Sequence, residues 1–310
     1  MSSLKRLSLV ALVLAFFQIV FGAIVRITGS GMGCGDHWPK CLGAWFPPLD
    51  RPDLIIEISH RYLALALSLV IVALLVSAWL KRGEPGVGGR SGVLRPAIVA
   101  AVLVVVAALL GAVTVRLLLN PLVVVAHLTI AMSLLATLAV ALFRAGSPGA
   151  TTTLEGGSAR TARSASIAVV LALLTLMLGA LTANLPDAAS ACTGFPHCRA
   201  ITVDGTPFIV HIVHRVLAFL LFGHLIGMAI TVGKRNEPRV VKTVARTAFA
   251  AALIQVIIAA GMIEMAFPAF MRALHQAVGT FVWLAIVALA ILARQASREV
   301  HVREPARAAA

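Results

Sequence analysis

Residues 57–80, EISHRYLALALSLVIVALLVSAWL, decide the fold. From Tyr62 to Leu80 no charged residue occurs, and a run of about 20 apolar residues is what a helix needs to cross the hydrocarbon of a bilayer. The stretch therefore reads as a membrane span whose mouth carries three polar side chains, Glu57, His60 and Arg61. The arrangement returns at 211–222, HIVHRVLAFLLF, where His214 and Arg215 take the places of His60 and Arg61 and His211 takes that of Glu57.

The rest of the chain agrees with a membrane setting. Hydrophobic residues make up 60% and charged residues 12%, with a mean hydropathy of +0.99; soluble domains average roughly half apolar and a quarter charged. Eight apolar segments are long enough to span, at 7–25, 58–80, 96–119, 122–143, 164–182, 208–232, 247–265 and 270–293. The first, LSLVALVLAFFQIVFGAIV, follows Lys5 and Arg6 but exceeds the length of a signal-peptide core, and no small-residue cleavage site follows it. It is expected to be retained, which makes the chain an all-α integral membrane protein with eight transmembrane helices.

The net charge of +14 could suggest a polynucleotide partner, but its distribution says otherwise. With eight spans the two termini share a side, and 18 of the 26 Lys and Arg lie on it. That asymmetry places the termini in the cytoplasm. The basic charge then reports topology and contact with anionic membrane lipid, and no nucleic acid is expected.

The two halves repeat. FGAIVRITGSGMGCGDHWPKC (21–41) lies opposite LGALTANLPDAASACTGFPHC (178–198), and NPLVVVAHLTIAMSLLATL (120–138) opposite FPAFMRALHQAVGTFVWLA (267–285). Each copy holds four spans, an even number, so both run the same way through the membrane: two parallel-repeat four-helix bundles, at 1–143 and 164–296. Between them 144–163, rich in Gly, Ser, Thr and Arg, reads as a flexible cytoplasmic linker, and 297–310 as a polar cytoplasmic tail.

His60, His127, His214 and His275 open spans 2, 4, 6 and 8, each within roughly the first two turns and so about 10 Å or less along its helix. A lone membrane histidine is commonly satisfied by a neighbouring backbone group. Four at one depth, paired by a repeat, point instead to a shared chemistry, because imidazoles facing each other inside a four-helix unit hold a metal or a heme iron. Tetrahedral zinc would need further ligands that the spans do not supply, so bis-histidine heme is the preferred reading. Arg61 and Arg215 directly follow a ligand; their guanidinium groups suit heme propionates or snorkel to the interface. His224 reads as a packed core residue and His301 as solvated.

Cys34 with Cys41, and Cys192 with Cys198, close short loops on the outer face, where disulfides persist. Each bridge would stabilise its loop by about 2–3 kcal/mol in the chain-entropy model. The same loops could alternatively pass electrons or thiols to a partner. His37 and His197, each near a second Cys, add a metal-site option.

Taken in order, the eight spans, EISHR (57–61), HIVHR (211–215), the lone histidines of spans 4 and 8 and the two Cys pairs resemble the heme A synthase family over about 7–293. The resemblance implies oxidation of the C8 methyl of heme O to a formyl group, giving heme A for terminal oxidases. It implies that His60 and His127 flank the substrate iron in the first repeat, that His214 and His275 ligate a permanent heme b in the second, and that Glu57 is the catalytic carboxylate. It further implies a bacterial-type plasma membrane, with Cys loops and hemes toward the outer face. Heme O synthase, the terminal oxidase assembly and an unidentified electron acceptor are the implied partners, and a homo-oligomer is compatible with it. The residues add one physical point: Glu57 and His60 are three apart, on one helix face, and the second repeat keeps the His and Arg while losing the acid.

Two other classes fit part of the pattern. A diheme b-type cytochrome oxidising quinol would carry four histidines but has no need of an acid on one side only. A heme transporter or delivery protein would be expected to show a span broken by paired Gly or Pro, or an acid near the midplane, and the chain has neither. Glu264, at the end of span 7, is left without a role.

Overall fold

The computed structural model describes residues 2–35, 39–146 and 156–308, with side chains through 297. Among these residues eight helices are long and apolar enough to cross a membrane: α1 (Ser3–Ile27), α2 (Pro52–Leu80), α3 (Leu94–Arg116), α4 (Pro121–Ala145), α5 (Ala159–Asn184), α6 (Thr206–Lys234), α7 (Arg239–Glu264) and α8 (Ala269–Ala308). A two-stranded antiparallel ribbon, β1 (Cys192–Thr193) and β2 (Ala200–Ile201), lies in the loop before α6.

The helices outrun the apolar segments because local chemistry starts them in the polar loops. Pro52 opens α2, where its missing N–H costs nothing, so α2 takes in Glu57 and His60 sits eight residues past its start. His214 sits equally far into α6, and His127 and His275 six residues into α4 and α8. At 1.5 Å per residue these are depths of about 12 Å and 9 Å, so the histidines of α2 and α6 lie a little deeper than their sequence position suggests. Ser158 caps α5 by accepting from Thr161 N, which makes the end of the linker helical from Ala159. The backbone of α8 likewise stays helical through Ala308, past the apolar window that closes at Ser297.

The chain divides into two compact units, Met1–Gly149 and Ala150–Ala310. In the first, α1 packs on α2 and α4, and α3 completes the ring against the same two helices; in the second, α5 packs on α6 and α8, with α7 closing the ring. Each unit buries small and branched apolar residues between its helices. Large ones face outward, as along α2, where Leu65, Leu69, Val72 and Val76 are exposed on one stripe. A stripe of that kind suits hydrocarbon.

The α3–α4 and α7–α8 turns have the same backbone. Leu118 and Leu119, like Ala266 and Phe267, take positive φ, and Leu119 N donates to Thr114 O as Phe267 N does to Met262 O, both at 2.8 Å. This corrects the register of the repeat. Matching Pro121 to Pro268 puts His127 beside Leu274, one residue from His275. In the structure Asn120, the cap of α4, stands where Pro268 stands, so His127 falls opposite His275.

At the end of the second unit away from the Cys loops, Glu237 is 2% exposed and accepts from Ser158 N (3.2 Å) and Ser158 Oγ (2.6 Å). A carboxylate there satisfies the first turn of α5 and its macrodipole.

Candidate functional site

In the first unit α2 and α4 bring His60 and His127 within electrostatic reach of one another. α1 runs antiparallel to α2, so Gln18, nine residues before its end, is level with His60. The Gln18 amide nitrogen lies 2.9 Å from His60 Nε2 and donates to His60 O at 3.1 Å. Gly22, one turn further on, leaves room for the ring: a Cβ there would stand 3.0 Å from His60 Nε2. Gly111 of α3 faces His127 in the same way, at 3.5 Å from Cε1. The backbone of Ala107, one turn before Gly111 on α3, lies against the His127 ring.

The second unit is built alike but wired differently. His214 and His275, on α6 and α8, are again within electrostatic reach. His214 Nδ1 donates to Thr175 O at 3.0 Å, which fixes the tautomer and leaves Nε2 as a bare lone pair. A Cβ on Gly179 would stand 2.7 Å from His214 Cε1. Here the glutamine is on α7 and serves the other histidine: Gln255 Nε2 lies 3.0 and 3.2 Å from the two ring nitrogens of His275 and donates to His275 O at 2.9 Å.

Above each pair a disulfide loop is clamped to the helix mouth. Cys34–Cys41 and Cys192–Cys198 are both bridged. Glu57, 4% exposed, accepts from Cys34 N at 2.8 Å and pairs with Arg61 at 2.5 Å, while Arg61 donates to Pro39 O and Lys40 O at 3.2 and 2.8 Å. Cys34, Cys41, Leu54 and Ile58 form a small core with Tyr62, whose hydroxyl donates to Trp45 O. In the second unit His211, also 4% exposed, donates from Nδ1 to Ala188 O (2.7 Å) and accepts at Nε2 from Arg215 Nε (2.8 Å). Arg215 also donates to Gly194 O (2.8 Å) and Cys192 O (3.0 Å). The acid of the first repeat and the imidazole of the second thus match the polarity of what they hold, an N–H in one loop and a carbonyl in the other.

Other residues singled out by the sequence fall as follows. His224 is half-buried and its Nε2 donates to Ser164 O at 2.9 Å. His197 is exposed and its neighbouring cysteines are bridged, so the metal-site option there fails for want of free thiolates. His37 and the side chain of His301 lie outside the described residues. Glu264 gains a role: it pairs with Arg199 and accepts from Phe195 N (3.1 Å), pinning the second Cys loop to α7. Sequence reasoning missed Gln18, Gln255 and the glycines facing the rings. Lone amides inside spans 1 and 7 were the available signal.

Two units of four apolar helices, each bringing two histidines within electrostatic reach, define an all-α multi-pass membrane protein. No third His, Cys, Asp or Glu joins either pair among the described residues. The sequence matches the COX15-CtaA family of cytochrome oxidase assembly proteins over residues 5–287. It is 29% identical over 248 residues to a heme A synthase of Bacillus licheniformis, a match covering 77% of this chain and 79% of that relative. Shorter matches reach 40% over 82 residues with a heme A synthase of Geobacillus kaustophilus, 26% of each chain, and 42% over 77 residues with one of Staphylococcus aureus, 25% of each. The chain belongs to the heme A synthase (COX15-CtaA) family.

Proposed function

We propose that this chain is an oxidoreductase that converts heme O to heme A, oxidising the C8 methyl through an alcohol to a formyl group for use in terminal oxidases. The amino-terminal bundle receives heme O between His60 and His127, and the carboxy-terminal bundle keeps heme b between His214 and His275. The observation that carries this division is Glu57, a buried carboxylate one turn before His60 whose place in the second bundle is taken by His211. His214 is set by a backbone carbonyl as a permanent ligand, since an anchored Nδ1–H orients the ring and raises its basicity.

Bound heme supplies the iron and the oxidisable methyl; the remaining work falls to side chains. Glu57 is the proposed catalytic carboxylate, one turn before His60 on α2. Cys34 N and Arg61 fix its two oxygens, and each oxygen keeps a further lone pair with which to take a proton as the methyl is oxidised, the four electrons passing in two steps to an external electron acceptor and the formyl oxygen entering from outside the protein. Arg215 spends three of its five N–H donors on the loop and His211, leaving two to meet a heme propionate; Arg61, directly after His60, is the proposed propionate contact of the first bundle. The termini are cytoplasmic, with both Cys loops on the outer side. Heme O synthase, which makes the substrate, and the terminal oxidase, which takes the product, are the neighbouring steps.

Co-expression with a heme O synthase in a host lacking heme A, followed by chromatography of extracted hemes, tests the reading. Heme A appears if it is correct; heme O accumulating unchanged beside a fully folded, heme b-containing protein overturns it.

A further inference from the structure

The segment that joins the Cys34–Cys41 bridge to α2 carries an apolar patch turned outward. In LGAWFPPL (42–49) Phe46 is 84% and Leu49 87% exposed, and Leu42 and Trp45 are half exposed. Its backbone is held. Cys41 and Ala44 exchange both backbone hydrogen bonds at 2.9 Å across a turn whose central residues, Leu42 and Gly43, have positive φ, and the Trp45 carbonyl accepts from the Tyr62 hydroxyl. Pro47 and Pro48 bring no N–H that would need a partner. With several of its backbone groups paired or missing, the segment loses little by leaving water.

Tyr62 shows what the patch adjoins. It stands three residues before Leu65 and seven before Leu69, in line with the exposed α2 stripe that suits hydrocarbon, and its ring centroid lies 6.2 Å from that of Phe46. The loop patch and the lipid-facing stripe are therefore one continuous apolar surface. Helix side chains lean toward the helix N-terminus, so Tyr62 reaches along α2 toward the loop, and the join falls at the end of the span. Lys40, exposed, sets its ammonium 5.6 Å from the Trp45 ring centroid. Aromatic rings beside a cation at a span end are the side chains that seat in a membrane interface. The matching segment of the second unit, RAITVDGT (199–206), has no aromatic residue, and Ile201 is its one large exposed apolar side chain among the described residues.

We propose that Leu42, Trp45, Phe46 and Leu49 form a membrane anchor, seated in lipid at the boundary of head groups and acyl chains in the leaflet on the Cys-loop side. A patch continuous with a lipid-facing stripe meets lipid before a soluble partner can cover it. Glu57 and Arg61 clamp the same Cys loop to α2, so the anchor sets the depth of the mouth of the first histidine pair. This requires only that the chain spans a membrane and is independent of which hemes it holds.

The test uses the full chain in phosphatidylcholine nanodiscs with a nitroxide label on Phe46→Cys or Leu49→Cys. Both native Cys pairs are bridged, which leaves the introduced thiol for the label. Power-saturation EPR compares access to oxygen, which concentrates in lipid, with access to a water-soluble nickel chelate. Leu69→Cys on the α2 stripe is the lipid reference, and Asp204→Cys, exposed in the second loop, the aqueous one. The oxygen-to-nickel ratio at both loop positions is expected to lie several-fold above that of Asp204→Cys and toward that of Leu69→Cys. A ratio at either loop position no higher than that of Asp204→Cys overturns the anchor. So does a label open to nickel in lipid alone and shielded only when heme O synthase is added, which would make the patch a protein-docking face instead.

Discussion

Arg61 pairs with Glu57 across one turn of α2 at 2.5 Å, whereas Arg215, at the matching place on α6, donates to His211 at 2.8 Å. Both arginines also hold the carbonyls of a disulfide loop. The loops and the histidine-bearing helices are therefore joined by the same residues that border the histidine pairs, and the exchange of an acid for an imidazole follows from whether the loop offers an N–H or a carbonyl.

Glu57→Gln keeps an acceptor for Cys34 N but gives up the ion pair and the basic oxygen. Heme A formation is expected to fall by about 100-fold or more, the usual contribution of a positioned acid or base, with heme content unchanged by absorbance. Normal turnover in that variant would leave Glu57 a loop clamp only. Glu57→Leu also removes the buried ion-pair partner of Arg61 and the acceptor for Cys34 N, and should lower stability by about 3 kcal/mol in thermal unfolding.

His211→Glu copies the first repeat into the second. It sets a carboxylate against Ala188 O where a ring N–H now donates, and is expected to destabilise by about 1–3 kcal/mol. Thermal unfolding of the detergent-solubilised protein checks this, and an unchanged midpoint would refute the matching of clamp to loop polarity.

Gly22→Ala and Gly179→Ala probe the two bundles separately. The added methyl would stand 3.0 Å from His60 Nε2 in one and 2.7 Å from His214 Cε1 in the other, so each ring must move. Gly22→Ala should deplete heme O with heme b retained, and Gly179→Ala should deplete heme b, both read from extracted hemes.

Glu264→Gln should leave heme A formation unchanged, because its partners Arg199 and Phe195 N belong to the exposed loop before α6 and not to either histidine pair. Enzyme assay of the variant beside wild type decides it.

Much of this was legible in the residues. Span number followed from apolar length, and the Cys pairs and four histidines from their place in a repeat. What escaped was carried by groups that leave no side-chain signal. One partner of Glu57 is a backbone N–H, that of His214 a backbone carbonyl, and the one-residue shift that aligns His127 with His275 lies in a turn whose second copy puts Pro268 where the first has Asn120. Gln18 and Gln255 looked like tolerated polar residues, since their partners sit on neighbouring helices.

The division of labour between the bundles is tested most directly by extracting and separating hemes from wild type, His60→Ala and His214→Ala, each purified from cells making heme O. The account predicts heme b with heme O or A in wild type, loss of heme O and A but not b in His60→Ala, and loss of b in His214→Ala. Loss of heme b from His60→Ala with heme O kept, or heme b alone in all folded forms, would contradict it.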